Sequence, residues 1–327
     1  MLVKFFRSSF ASQYIALVIM ALILWLPAFL NPQTYIFIDP LSPFTRLLDF
    51  MLGPYPLLTN IIAFVFLIIQ ALFFNAILAA NGLITRVSSI GAFVYILLMS
   101  QVQYQTGLYD YLIAAFFILA AIHTILLLYD SNDPNIYLYN TGFFAALASL
   151  FYFPSILIII WIWLCLLSFR QVFLRGWVIT IIGFLTPYFF LITWFYLSDQ
   201  LADRIEVYHT FFSKISINTA GIQIVEWAAW IVLLILILLS VVGLYGKQIE
   251  KNVSIRTKIK LSSWLFIITL LSLFYNIHVV ALNGMVLIPA AIFISYYLSY
   301  TRKLFAPQLL LVIWIVLSIM NQYLSLL

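Results

Sequence analysis

Apolar residues in this chain come in long runs, not in the alternation of a half-buried strand or the single stripe of a water-facing helix. Such runs occupy residues 12–30, 58–82, 88–101, 109–129, 137–151, 153–168, 176–197, 224–245, 262–275, 284–300 and 306–326. The pattern predicts an all-α, polytopic integral membrane protein with about 11 transmembrane or half-spanning helices. Runs 88–101, 137–151 and 262–275 fall short of the ~20 residues that cross ~30 Å of hydrocarbon. Short runs imply broken or tilted helices, local thinning, or a water-filled cavity beside them. Between 137–151 and 153–168, Pro154 lacks the amide hydrogen a continuing helix needs and pushes Phe153 out of helical geometry. A break is therefore expected there. The alternative is one bent helix over 137–168, since membrane helices tolerate proline.

Composition sharpens this picture. Of 327 residues, 66% are hydrophobic and 8% charged, too few polar groups to cover a water-facing surface around so much apolar matter. Soluble enzyme, nucleic-acid binder and disulfide scaffold are excluded on that ground, and the whole chain reads as a single transmembrane domain. The net charge of +5 belongs to topology. With a cytoplasmic N-terminus, the inside segments hold Lys4, Arg7, Arg86, Arg170, Arg175, Lys247, Lys251, Arg256, Lys258, Lys260, Arg302 and Lys303, and the outside holds Arg46, Arg204 and Lys214. A single helix over 137–168 would reverse every later loop and spread these cations evenly, so the bias favours the break. It puts the C-terminus on the outer side of the membrane. The start, Lys4 and Arg7 before a long apolar run with no small-residue cleavage pattern, reads as an uncleaved signal anchor. Cys165, inside an apolar run, reads as a small buried side chain. The basic segment 246–261 reads as an inside loop touching anionic lipid.

Candidate chemistry falls on the outside. In the first outer loop, Ser42-Pro43 suits a helix start and Gly53-Pro54 a stop. Between them Phe44, Leu47, Leu48, Met51 and Leu52 share one face, as in a helix lying along the membrane surface. Asp39 stands just before it. An interfacial carboxylate can coordinate a divalent cation or take a proton from a hydroxyl nucleophile; it can also simply cap a turn, and Arg46 and Asp49 can pair along one helix face. A second outer segment carries Gln101, Gln103, Gln105, Tyr109, Asp110 and Tyr111, whose amides and phenols suit sugar hydroxyls or an ordinary interfacial belt. Residues 199–223 read as a second surface helix. His278 could meet an anionic phosphate, while His123, inside a run, is expected to bond a neighbouring helix. The histidines lack metal-ligand spacing. Few ionisable groups fall within the runs, which argues against an ion-coupled carrier, and no nucleotide-binding or zinc-protease motif is present.

The order of these features over residues 10–200 resembles the membrane-embedded GT-C glycosyltransferases. There is a cytoplasmic start, one span, an outer loop bearing Asp39 and a surface helix, a turn with Arg86 and a short span. The stretch from Asn140 to Pro154, with Gly142, Ala145, Ala146 and Ala148, looks like that superfamily's Gly/Ala-rich short helix followed by proline. The resemblance implies a GT-C-like core over 10–200 with additional C-terminal helices over 201–327, and a polyprenyl-phosphate-linked sugar as substrate. It makes Asp39 the catalytic base or metal partner, with Asp49, Arg46, Gln103, Tyr109, Asp110 and His278 contacting substrate. The whole chain also looks similar to an uncharacterised group of multi-pass Bacteroidetes inner-membrane proteins, which implies no activity. The rival expectation is a non-catalytic scaffold or assembly component of envelope biogenesis or secretion, with a membrane-protein partner.

Overall fold

A computed structural model of the chain describes residues 2–8, 10–32, 42–102, 105–128, 133–169, 174–201, 224–245, 253–272, 284–302 and 304–324. Among these, all regular structure is helical. The helices are α1 (Leu2–Phe6), α2 (Ala11–Leu30), α3 (Pro43–Leu52), α4 (Pro56–Ala80), α5 (Ile90–Leu98), α6 (Asp110–Leu128) and α7 (Pro134–Phe151). A 3-10 turn, Phe153–Leu157, leads into α8 (Ile158–Ser168), followed by α9 (Leu174–Leu197), α10 (Ile224–Tyr245), α11 (Val253–Leu271), α12 (Gly284–Tyr300) and α13 (Phe305–Tyr323).

Six helices, α2, α4, α6, α9, α10 and α13, are long and apolar enough to cross a membrane, and Phe153–Ser168 and Gly284–Tyr300 are shorter apolar helices. Their outer faces are what water would not tolerate. Val178, Ile182, Leu185 and Phe189 on α9, and Ile231, Leu234, Leu238 and Val242 on α10, stand exposed in stripes. The chain is thus an all-α protein of multi-pass membrane character. The six long helices are fewer than the apolar runs because several runs fold as short helices, α5 having only 9 residues.

Side-chain pairings give the helix directions. Phe66 meets Phe116 and Phe73 meets His123, so α4 and α6 run the same way. Thr124 meets Thr141 and Phe117 meets Phe151, so α7 returns along α6. Gly142 lies against the backbone of Thr180 and Phe184, and the Ser149 and Tyr188 hydroxyls are 2.8 Å apart, so α9 runs with α7. The chain must therefore double back between α7 and α9, which α8 does. The turning point is Tyr152, extended at φ −141° and ψ 101°, one residue earlier than expected: Phe153 opens the 3-10 turn, with Pro154 in its first positions where a missing amide hydrogen costs nothing. The expected break is present.

One end of the molecule gathers cations. Arg7 donates from Nε and Nη2 to the Leu298 carbonyl at 2.9 and 2.6 Å and from Nη2 to the Thr301 carbonyl at 2.6 Å, holding the C-terminus of α12. Burial there pulls the Arg7 guanidinium below its ordinary pKa. The Phe6 carbonyl accepts from the Ser89 amide and the Ser88 hydroxyl. Tyr300 donates to the Gly82 carbonyl, and Ile255 packs beside Gly82. Lys4, Arg7, Arg86, Arg256, Lys258 and Arg302 consequently share this end, and the helix directions bring Arg175, at the start of α9, to it as well.

Residues 253–261 differ from the expected basic loop: they form the first turns of α11. Lys and Arg are good helix formers, and Ile255, Ile259 and Leu261 supply packing between them while Lys260 lies 4.7 Å over the Trp264 ring. Hydropathy alone starts a helix where the charges stop, whereas at an interface the aliphatic stems let it start earlier. The expected surface helix over 199–223 falls almost wholly outside the described residues.

Candidate functional site

The opposite end is built around a segment that is not helical. With 9 residues at ~1.5 Å each, α5 is too short to cross the ~30 Å of a bilayer's hydrocarbon. The chain then continues through Ser100, Gln101, Val102, Gln105, Leu108 and Tyr109, all buried, before α6 begins at Asp110. Buried irregular backbone has to find partners for its polar groups within the protein. Here it is tethered by polar side chains from helices flanking it. Trp25 of α2 donates to the Ser100 hydroxyl at 2.9 Å, and Trp314 of α13 donates to Gln101 Oε1 at 3.2 Å. Gln322 donates to the Ser100 carbonyl at 2.9 Å and accepts from Thr106 at 3.3 Å, and Asn321 Nδ2 reaches the Gln101 carbonyl at 3.4 Å. From α4, Gln70 donates to the Leu112 carbonyl at 2.8 Å and accepts from the Tyr95 hydroxyl at 2.6 Å.

Beyond this lattice lie aromatic and acidic groups. The Tyr109 and Tyr111 rings are 6.3 Å apart, and the Tyr152 ring stands edge-on to Tyr111 at 5.6 Å. Gly284 opens α12 directly against the Tyr111 ring, where any Cβ would collide with it. Asp110 is wholly buried in the first turn of α6, where the helix dipole favours a carboxylate. The hydroxyls of Tyr109 and Tyr111, Gln101 Nε2, Gln105 Oε1, Ser155 Oγ and Asn321 Oδ1 are all buried without a hydrogen-bond partner. Buried polar atoms are normally satisfied, and each one left bare costs about 1–3 kcal/mol. These bare atoms fall on the described residues of 101–111 and on the helices that flank them.

Of the residues singled out from sequence, Tyr109 and Asp110 are thus brought together and joined by Tyr111. Arg46 and Asp49 lie on α3, which runs from Pro43 to Leu52 between its expected start and stop and packs on α7 through the Phe44 and Phe151 rings, 5.2 Å apart. Asp39, Gln103 and His278 lie outside the described residues. His123 does not make the expected bond to a neighbouring helix: its Nδ1 has no partner and its ring stacks edge-on against Phe73 at 5.7 Å. Among the described residues no three His, Cys, Asp or Glu side chains converge as metal ligands. Gln70, Tyr95, Tyr152 and Asn321 were missed. Gln70 and Asn321 are amides within apolar runs, which is the signal that could have found them. No family model matches the sequence, and no curated protein or solved structure is similar to it.

Proposed function

We propose that this chain is a multi-pass protein of a bacterial inner membrane that holds the polar end of a lipid-borne glycan in the chamber around Tyr109, Asp110 and Tyr111. The unpartnered phenols of Tyr109 and Tyr111, beside a buried carboxylate, carry this reading: phenols and a carboxylate suit sugar hydroxyls, which offer donors and acceptors without charge. The cation-rich end faces the cytoplasm under the positive-inside rule, and the chamber lies in the periplasmic half. The eleven apolar runs then alternate in direction, with α5 a half-span completed by the segment before α6.

In the GT-C-like form of this reading the donor is a polyprenyl-phosphate-linked sugar. Asp39 takes the proton from an acceptor hydroxyl, that oxygen bonds to the anomeric carbon, and the bond to polyprenyl phosphate breaks as the phosphate leaves. The experiment is photocrosslinking of a polyprenyl-phosphate sugar to the purified protein, with turnover measured alongside. Tyr111→Phe should weaken crosslinking and Asp39→Asn should abolish turnover while sparing crosslinking. Crosslinking that ignores Tyr111→Phe removes the chamber, and turnover that survives Asp39→Asn removes the base. A second reading, an assembly scaffold, draws on the exposed apolar length of α9 and α10, whose spans are only 22% and 28% buried. It predicts a stoichiometric membrane subunit that co-purifies with the chain.

A further inference from the structure

The face that α11 turns away from the rest of the protein changes character along its length. Val253, Arg256, Lys260, Ile267 and Leu271 are exposed, and Trp264 among them is half-buried. These six follow one another at three- and four-residue steps, so they form a single stripe. The opposite face is packed. Leu261, Leu265 and Ile268 are buried there, Trp161 of α8 donates to the Leu261 carbonyl at 2.9 Å, and the Phe266 ring meets Phe293 of α12 at 5.6 Å. Past Val253 the stripe therefore reads cation, cation, indole, aliphatic, aliphatic. Lys260 Nζ lies 4.7 Å over the Trp264 ring, which joins the charged part of the stripe to the aromatic part. No acidic residue occurs anywhere in α11. Nothing on the helix itself offsets the two exposed charges.

We infer that this stripe binds an anionic phospholipid from the leaflet at the cation-rich end, an activity independent of the function proposed above. Arg256 and Lys260 hold the headgroup phosphate, the Trp264 ring lies level with the glycerol, and Ile267 and Leu271 run along the acyl chains. The spacing fits a bilayer. At ~1.5 Å per residue Lys260 stands ~6 Å from Trp264 along the axis and Leu271 ~10 Å beyond it, and the polar layer over each side of the hydrocarbon is roughly 5–8 Å thick. Indoles favour that boundary, and the aliphatic stems of Lys and Arg span it while their charges stay outside. A soluble anion would use the two cations and leave Ile267 and Leu271 without a partner. A zwitterionic headgroup would bring its own cation against Arg256 and Lys260. An anionic lipid matches the charge and the apolar length together.

The test uses the full chain in phosphatidylcholine nanodiscs containing phosphatidylglycerol with a diazirine in its acyl chain, the crosslinks being mapped by peptide mass spectrometry. Label should fall on residues 264–271 and saturate as the mole fraction of phosphatidylglycerol rises, and the same photoreactive chain carried on phosphatidylcholine should label them far less. Arg256→Gln combined with Lys260→Gln should raise the half-saturating mole fraction at least about tenfold, since each cation beside an anionic surface contributes about fivefold. Arg256→Lys combined with Lys260→Arg keeps both charges and should keep the labelling, which separates charge from any loosening of the helix. Arg302→Gln removes an exposed cation from the same end but not from α11, and should leave the labelling unchanged. Equal labelling by the two lipids, or labelling that ignores the double Gln variant, overturns the inference. So does an equal loss in Arg302→Gln, which would assign the effect to the summed charge of that end.

Discussion

At the scale of single residues the buried phenols make the sharpest prediction, because a bare hydroxyl helps a guest and harms the empty protein. Removing it from Tyr111 should leave the unliganded protein as stable or more so, by up to about 1–3 kcal/mol in chemical unfolding, while weakening ligand capture. A hydroxyl with a hidden structural role would show the opposite sign. Gly142 and Gly183 predict a loss. A Cβ on Gly142 would meet the Thr180 carbonyl and the Phe184 amide, and one on Gly183 the Tyr139 carbonyl, so backbone has to move. Gly142→Ala and Gly183→Ala should each cost about 1–3 kcal/mol, read as a lowered Tm in detergent. Close approach of this kind is legible in part: the Gly/Ala-rich run from Gly142 to Ala148 shows in the sequence, whereas its partner Gly183 is an isolated glycine with no local mark. The same holds for the buried polar cluster. Tyr109 and Asp110 are conspicuous beside polar neighbours, but Tyr95 and Tyr152 sit in apolar surroundings and join it only through tertiary contacts with Gln70 and Tyr111.

Among the elements, α5 and α11 show where periodicity succeeds and where it stops. The short run at 88–101 implied a broken or tilted helix, local thinning or a cavity beside it, and α5 has only 9 residues before a buried irregular continuation. The helical break beside Pro154 was legible because proline acts through local geometry. The start of α11 was not, since hydropathy weights Arg256 and Lys258 against a helix whose amphipathic stems and apolar neighbours support it. The α1–α12 clamp is a further test. Arg7→Met removes charge-assisted bonds to two carbonyls and should cost about 1.5–3 kcal/mol, while Arg7→Lys, lacking the fork, should recover only part. A base with a lowered folded-state pKa gains stability only as pH rises through that pKa, which for a guanidinium lies well above neutrality. The clamp should therefore add no slope to Tm between about pH 6 and 9.

For the whole molecule, the governing feature is the gathering of most described cations at one end. Cations from α1, the turn after α4, α9, α11 and the turn after α12 meet at one end through contacts remote in sequence, such as Arg7 with Leu298 and Tyr300 with Gly82. Asp110 and Asp199 lie toward the other, as the directions of α6 and α9 require, while Asp133, at the start of α7, lies at the cation end. The sequence told this much through loop charges alone, because the rule that orients membrane helices is additive and needs no tertiary detail. What it could not tell is which polar groups meet inside. The most direct measurement replaces the buried Cys165 with Ala and introduces Arg302→Cys or Asp199→Cys, then treats intact cells with a membrane-impermeant maleimide. Labelling at 199 with protection at 302 until the cells are opened is the result expected of a periplasmic chamber. Labelling at 302 with protection at 199 would contradict it.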